Sequence, residues 1–264
     1  MNVLIAMDSF KGALSSEQAG KALERGILRT NGHQTMVCSV ADGGEGSVSA
    51  LAACVKGEYR TWKCRDAFHK QKTVRTLLLE EEESLCCAVE AADIFGLHNN
   101  EVSSATAAAA STYGLGELLD QLHGYAIHKV LLFLGGTITT DGGLGVLQGL
   151  GIRLYDRMGN LLPNDCNPLF AFDHWDEEAF QTVKKKLGGM ELLVGCDVCA
   201  PLYGKEGCVF TYSAQKGADA MQMRKLEQQL HVLEQRSGRN LLQEGCGAGG
   251  GCAAALHILG AELT

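Results

Sequence analysis

The segment Lys129-Val-Leu-Leu-Phe-Leu134 is the strongest buried-strand signal in the chain, because it is a short apolar run with β-branched and aromatic residues. It ends in Gly135-Gly136, and Asp141-Gly-Gly143 lies just beyond. The same order, an apolar run followed by acidic and small residues, occurs in Ile5-Ala-Met-Asp8-Ser9-Phe-Lys11-Gly12 and in Val40-Ala-Asp42-Gly43-Gly44-Glu45-Gly46. Ligands of open α/β sheets bind outside the carboxyl ends of the strands. The repetition therefore predicts a crevice with carboxylates, backbone N–H groups and a lysine, which suits a phosphorylated or metal-chelated substrate.

The order of the elements indicates an α/β fold. An apolar run predicts a strand over Val3–Ala6, and Ser15-Ser-Glu-Gln18 has the form of a capping box that opens a helix. A strand over Thr35–Val40 and a helix that ends near Cys54 follow. This alternation favours a parallel sheet with crossover helices.

Two domains are expected. Residues 1–55 and 103–150 would form a Rossmann-like parallel-sheet domain, and residues 56–102 and 151–264 a second, smaller mixed α/β domain. The second domain is suggested by Tyr59–Glu83, where polar and apolar residues mix around a strand signal. We expect the active site in the cleft between the domains.

The composition excludes several classes of protein. The chain has 264 residues, a formal net charge of −8 and no basic run beyond Lys184-Lys-Lys186, so neither a nucleic-acid surface nor a polybasic membrane patch is expected. An anionic substrate must then meet local cations, and Lys11 and Lys216 are the candidates. The N-terminus lacks a basic region and a sufficiently long apolar stretch for a signal peptide or membrane span, and the 11 cysteines are odd in number. These features favour a cytoplasmic protein with reduced thiols.

Six motifs, in order, resemble those of the bacterial class I glycerate kinases, also called glycerate 2-kinases. They are Asp8-Ser-Phe-Lys11-Gly12, Ala41-Asp42-Gly-Gly-Glu45-Gly46, Tyr113-Gly-Leu-Gly116-Glu117-Leu118, Gly135-Gly136 with Asp141-Gly-Gly143, Cys196-Asp197-Val198 with Pro201-Leu202, and Gln215-Lys216-Gly217. The resemblance implies ATP-dependent phosphorylation of D-glycerate, with Mg²⁺ and with the 2-hydroxyl as the usual acceptor.

Four residues are candidates for a catalytic role: Asp8, Lys11, Asp42 and Asp197. An aspartate that accepts the proton of the attacking hydroxyl recurs in phosphoryl transfer, and a lysine can bind phosphate oxygens as a point charge. The sequence does not choose among the three aspartates. Asp8 could equally cap a turn beside a surface lysine.

Nine further positions are predicted to bind substrate or nucleotide: Ser9, Gly43, Gly44, Glu45, Gly135, Gly136, Asp141, Gln215 and Lys216. Asp42 and Glu45 are also the predicted Mg²⁺ ligands, since Mg²⁺ needs only one or two carboxylates beside the substrate phosphates. Three alternatives stay open: Glu45 as a favourable charge at a helix start, Asp141 as a helix cap and Lys216 as a surface lysine.

Two other sequence patterns do not predict a metal or nucleotide site. Cys196-Asp-Val-Cys199 has no second pair at zinc-site spacing, which favours ordinary thiols. Gly245, Gly247 and Gly250 match G-x-G-x-x-G but follow a helical pattern, so they indicate a turn rather than a dinucleotide site.

Members of the family generally continue past the position of Thr264 with a further glycine-, acid- and arginine-containing motif. The resemblance therefore implies that this chain lacks the family's usual C-terminal portion, that its Rossmann-like domain is incomplete, and that a homo-oligomer could cover the exposed sheet edge. Two alternatives remain at this point. One is a weakened or truncated relative that binds a small hydroxy acid without turnover, and the other is an unrelated phosphate-binding enzyme such as a sugar-phosphate isomerase.

Overall fold

The computed structural model describes residues 1–10, 13–81, 84–98 and 100–264, and its first unit is a two-stranded parallel sheet with two helices. The elements are β1 (Asn2–Met7), α1 (Ser16–Ile27), β2 (Gln34–Ser39) and α2 (Ser47–Cys54). Ser15 caps α1 in the predicted capping box with Gln18. The predicted alternation of parallel strands and helices is confirmed in this unit.

The second unit is a six-stranded mixed sheet. Its strands are β3 (Glu58–Arg65), β4 (Gln71–Glu81), β5 (Ser84–Glu90), β6 (Lys129–Phe133), β9 (Glu191–Gly195) and β10 (Glu262–Leu263). They lie in the order β10-β9-β6-β5-β4-β3, and the first four are parallel while β4 and β3 are antiparallel. A separate antiparallel pair is formed by β7 (Leu154–Tyr155) and β8 (His174–Trp175). The predicted α/β class is confirmed.

Seven helices accompany this sheet in the described part of the chain. They are α3 (Ala92–Phe95), α4 (Ser104–Ala109), α5 (Tyr113–Gly124), α6 (Leu144–Gly149), α7 (Glu177–Leu187), α8 (Ala220–Ser237) and α9 (Cys252–Leu259). Leucines of α5 and α6 are fully buried against one face of the sheet, together with most of α9. Val48 of α2 packs on other residues of the sheet, in a smaller cluster with Leu77, Leu79, Cys86 and Ala88. The first unit therefore docks on the sheet through α2.

Strand pairing departs from the predicted grouping of residues. The segment 103–150 was grouped with residues 1–55, but its strand β6 pairs with β5 and β9 rather than with β1 or β2. The reason is that β5, a strand that the sequence patterns did not predict, occupies the position beside β6. The domain boundaries themselves stay a prediction.

Two further observations concern the cysteines and the apolar character of the helices. All eleven cysteines lie in the described residues and none forms a disulfide, in agreement with the expected reduced thiols. Within the described ranges, no helix has both the length and the apolar character needed to cross a membrane.

Candidate active site

A cavity of about 340 Å³ opens at the carboxyl ends of β6 and β9. Gly135 and Gly136 lie just past the end of β6, and Asp197 lies two residues after β9. The cavity therefore occupies the position that the sequence predicts, outside the ends of parallel strands. Its lining consists of Glu45, Leu97, His98, Leu134, Gly135, Gly136, Thr137, Asp197, Val198, Tyr212, Gln215, Lys216, Gly247, Gly249 and Gly250.

Two motif loops from different units touch beside this cavity. A Cβ added at Gly135 would lie 2.4 Å from the Cα of Gly44 and 2.9 Å from Oδ2 of Asp197, so only glycine fits there. The backbone N–H of Gly135 donates a 3.2 Å hydrogen bond to the carbonyl oxygen of Gly43. The predicted residues Gly43, Gly44, Gly135 and Asp197 are thus brought together by close backbone packing.

The three candidate aspartates lie in different settings. Asp197 lines the cavity. Asp42 precedes the glycine contact, and its Oδ1 accepts a 2.8 Å hydrogen bond from the backbone N–H of Gly44. Asp8 and Ser9 instead line a neighbouring cavity of about 400 Å³ beside α1, which shares Glu45 with the first. Lys11 lies outside the described residues.

Lys216 is buried, which rules out the surface alternative, since only 6% of the residue is exposed. Its Nζ donates to the carbonyl oxygen of Thr139 at 2.8 Å and to Oγ1 of Thr137 at 3.3 Å. Burial lowers the pKa of Lys216 to about 8, although Cys208, Asp141 and Asp197 act in the opposite direction. A lysine with these properties supplies a cation at the cavity wall that loses its charge at mildly alkaline pH.

Glu45 is an exposed residue between the two cavities, and its carboxylate lies 3.5 Å from Nε2 of His98. In the described ranges no three His, Cys, Asp or Glu side chains form a group that could hold a metal ion. Mg²⁺ does not require such a group, because it commonly keeps water ligands and binds one or two carboxylates together with substrate phosphates. Glu45 lines both cavities, whereas Asp42 is not among the residues that line either one, and their role as Mg²⁺ ligands stays a prediction.

Asp141 was predicted to bind substrate or nucleotide, but the structure gives it another setting. The residue is fully buried and is not among the residues that line either cavity. Its carboxylate accepts four hydrogen bonds of 2.7–3.2 Å, from the backbone N–H and hydroxyl of Thr112 and from the backbone N–H groups of Gly143 and Gly145. Burial raises the pKa of Asp141, and these four donors oppose that effect. The hydrogen bond from Gly145, in the first turn of α6, agrees with the structural alternative, and the ligand contact at Asp141 stays a prediction.

The sequence patterns did not identify several residues of the cavity wall. Gly247, Gly249 and Gly250 belong to the turn before α9. The sequence predicts a turn there but no ligand site, because the G-x-G-x-x-G match follows a helical pattern. Gly250 has a φ of +68°, and a Cβ there would lie 2.0 Å from the carbonyl oxygen of Thr139. His98 also lines the cavity. The density of glycines in 245–251 was the available signal for the turn.

The comparisons with known proteins agree with this geometry. The model of the glycerate kinase family matches residues 3–264. A glycerate kinase of Neisseria meningitidis serogroup B (strain ATCC BAA-335 / MC58) is 30% identical over 258 residues, which are 97% of this chain and 68% of that protein. A glycerate 2-kinase of Escherichia coli (strain K12) is 30% identical over 271 residues, which are 100% of this chain and 70% of that protein.

A solved structure gives the same result. The crystal structure of a Salmonella typhimurium LT2 protein that carries the name glycerate kinase 2 superposes with a TM-score of 0.80 at 29% sequence identity. The superposition covers 100% of this chain and 71% of that one. The chain thus spans about two thirds of the length of these relatives. Since the family match covers nearly all of this chain, it does not support the expectation that a C-terminal portion is lacking.

Proposed function

The chain belongs to the glycerate kinase family, and from that premise we propose that it transfers the γ-phosphoryl group of ATP to D-glycerate. The reaction breaks the bond between the γ-phosphorus and the β–γ bridging oxygen, and it forms a bond between that phosphorus and a glycerate hydroxyl oxygen. The hydroxyl proton passes to a base and ADP leaves. The relative that is named glycerate 2-kinase favours the 2-hydroxyl as the acceptor, which gives 2-phosphoglycerate.

The observation that carries this proposal is the pairing of a cation and a carboxylate in one cavity. Lys216 and Asp197 both line the cavity at the ends of β6 and β9. The Lys216 ammonium would bind the glycerate carboxylate, since two of its three N–H groups have protein acceptors in the described chain. Asp197 would accept the proton of the attacking hydroxyl.

The remaining predicted residues would hold the nucleotide and the glycerate so that the attacking hydroxyl faces the γ-phosphorus. We propose that the backbone around Gly135, Gly136 and Gly44 lies close to phosphate oxygens, because glycines permit close approach. Asp42 and Glu45 would hold Mg²⁺ that arrives with ATP. When bound, the ion neutralises charge that develops on the β- and γ-phosphate oxygens. Ser9 and Gln215 would provide neutral hydrogen bonds at the edges of the two cavities.

Turnover by the purified chain tests the proposal. We expect release of ADP that depends on both MgATP and D-glycerate, measured by coupled NADH oxidation, with 2-phosphoglycerate identified by NMR. L-glycerate and lactate, which lacks the 3-hydroxyl, serve as matched substrate controls. Saturable binding of D-glycerate in calorimetry without any ADP release would instead identify the alternative, a family member that binds a small hydroxy acid without turnover. Turnover of a sugar phosphate without ATP would identify an isomerase.

The buried position of Lys216 predicts a dependence on alkaline pH. Because the pKa of Lys216 is lowered to about 8, its positive charge is present below that pH and is lost above it. The kcat/KM for D-glycerate reports groups of the free enzyme, so it should fall about tenfold per pH unit above pH 8. In Lys216→Met, kcat/KM should be low at every pH, and its pH profile should lack the fall above pH 8, here called the alkaline limb.

Lys205→Met is the matched control, because Lys205 is an exposed lysine in the same half of the chain. It should retain both the activity and the alkaline limb of the parent protein. A parent profile that stays level from pH 7 to pH 9.5 would contradict the role of Lys216 as the anion-binding cation.

A further inference from the structure

Glu90 is a buried carboxylate at the end of β5 that no sequence motif singled out. It is only 7% exposed, and its Oε1 accepts a 2.6 Å hydrogen bond from the backbone N–H of Val48. Val48 lies in the first turn of α2, and Gly46 is the residue that precedes that helix. A side chain of the main sheet thus caps the helix that follows the Asp42–Gly46 loop.

The first turn of α2 receives no cap from its own flanking residue. Gly46 stands at the N-cap position with a φ of +97°, and it has no side chain that could accept a hydrogen bond. A helix leaves its first four N–H groups without intrahelical acceptors, and a buried donor without an acceptor is costly. The carboxylate of Glu90 satisfies one of these donors, the N–H of Val48, from 42 positions away in the sequence.

The position of Glu90 also connects it to the Gly135-Gly136 loop. Glu90 is paired with Phe133 in the parallel register of β5 and β6, two residues before Gly135. The backbone N–H of Ala91 donates to the carbonyl oxygen of Phe133 at 2.9 Å. Glu90 therefore lies between the two loops whose backbones meet at Gly44 and Gly135, and it is fixed to both through hydrogen-bonded neighbours.

We propose that Glu90 is a positioning residue that sets the distance between the Asp42–Glu45 loop and the cavity containing Asp197. The proposal rests on the proposed kinase function. Glu90 does not line either cavity, so it acts through the start of α2 rather than on a substrate. An error of about 1 Å in the placement of reacting groups can reduce the rate about 10²-fold. We expect that loss of the hydrogen bond between Glu90 and Val48 loosens the start of α2 and so alters this placement.

The charged groups around Glu90 do not suggest a role for its charge. The acidic neighbours Asp93 and Glu45 raise its pKa in addition to the effect of burial, which is the largest cause. The cations Lys72 and Arg75 act on Asp93. The carboxyl group thus has acidic neighbours. We therefore attribute its effect on the start of α2 to its oxygen atom, which accepts a hydrogen bond at the distance that the length of the side chain allows. A glutamine has the same reach and retains one acceptor oxygen, whereas an aspartate keeps the charge but is one methylene shorter.

The test compares Glu90→Gln, Glu90→Asp and Glu90→Ala, with Val89→Ala as the control. Val89 is on the same strand and is 1% exposed, but it packs in the main core cluster rather than in the smaller cluster that contains Val48. We expect Glu90→Gln to retain kcat within about threefold, and Glu90→Asp and Glu90→Ala to lose about 10²-fold in kcat. Val89→Ala should lower the Tm without a comparable loss of kcat.

Two results would overturn the proposal. If Glu90→Asp is active while Glu90→Gln is not, Glu90 acts through its charge. If both retain the parent kcat, the residue only stabilises the fold. If Glu90→Ala does not fold, the comparison of Glu90→Gln with Glu90→Asp still tests the proposal.

Hydrogen exchange at the Val48 amide separates this proposal from the proposed function. Exchange should be faster in Glu90→Asp than in Glu90→Gln or Val89→Ala, whether or not the chain turns over glycerate. If exchange is faster in Glu90→Asp but the chain has no turnover, the result supports the positioning role of Glu90 and rejects the proposed kinase function. Equal exchange in all variants would reject the positioning role of Glu90 and would leave the proposed kinase function untouched.

Discussion

Asp197→Asn is expected to reduce kcat by about 10²- to 10⁴-fold, which is the usual contribution of a general base. The three aspartates that the sequence left as candidates differ in position, and only Asp197 lines the cavity that also contains Lys216. Asn is close to Asp in shape but cannot accept the hydroxyl proton. Because Asp197 is an exposed residue, the Tm should change little.

Asp42→Asn and Asp8→Asn are the matched controls for this prediction. In Asp42→Asn, the Oδ1 acceptor for the N–H of Gly44 is retained, so the loop should keep its conformation. Its main effect should then be on the KM for MgATP, in keeping with the proposed metal role. Asp8→Asn alters the neighbouring cavity and should leave proton transfer intact. A larger loss of kcat in either control than in Asp197→Asn would assign the base to that aspartate.

Strong local patterns determined which parts of the fold could be predicted. The apolar run of β6, the capping box of α1 and the turn before α9 all reside in contiguous residues, and the structure has a strand, a helix and a turn there. The strand β5 was missed because Ser84-Leu-Cys-Cys-Ala-Val-Glu90 contains few residues of high strand propensity and follows a run of glutamates. Its Cys86, Cys87 and Ala88 are nevertheless completely buried. Burial on both faces of a central strand depends on partners that are distant in the sequence.

The same distinction applies to the site. Motif residues at the ends of strands could be located from sequence, because parallel strands present their carboxyl ends at one edge of a sheet. The burial of Lys216 and the role of Glu90 depend on contacts that span 77 and 42 positions, to Thr139 and Val48 respectively. No local spacing encodes contacts of this kind. The sequence therefore located the cavity but did not separate the residues that line it from those that support it.

Asp141→Ala is expected to have the largest effect on stability, with a loss of roughly 4 kcal/mol in the free energy of unfolding. The carboxylate of Asp141 is fully buried and is the acceptor for both donors of Thr112 and for the N–H groups of Gly143 and Gly145. Removing it leaves buried donors without acceptors, and each such donor costs about 1–3 kcal/mol before relaxation. Urea denaturation monitored by circular dichroism would measure the loss.

Asp156→Ala is the matched control, because Asp156 also accepts several hydrogen bonds, from the backbone N–H groups of Met158 and Asn160 and from the side chain of Asn160. Asp156 is only partly buried, so water can replace its carboxylate as the acceptor and the loss of stability should be much smaller. Asp141→Asn should fall between the two, since its amide retains one acceptor oxygen but places an NH₂ group against existing donors. Equal losses in Asp141→Ala and Asp156→Ala would mean that burial does not govern the effect. If instead Asp141→Ala keeps its stability and loses only the binding of glycerate or ATP, the result would support the predicted ligand contact at Asp141.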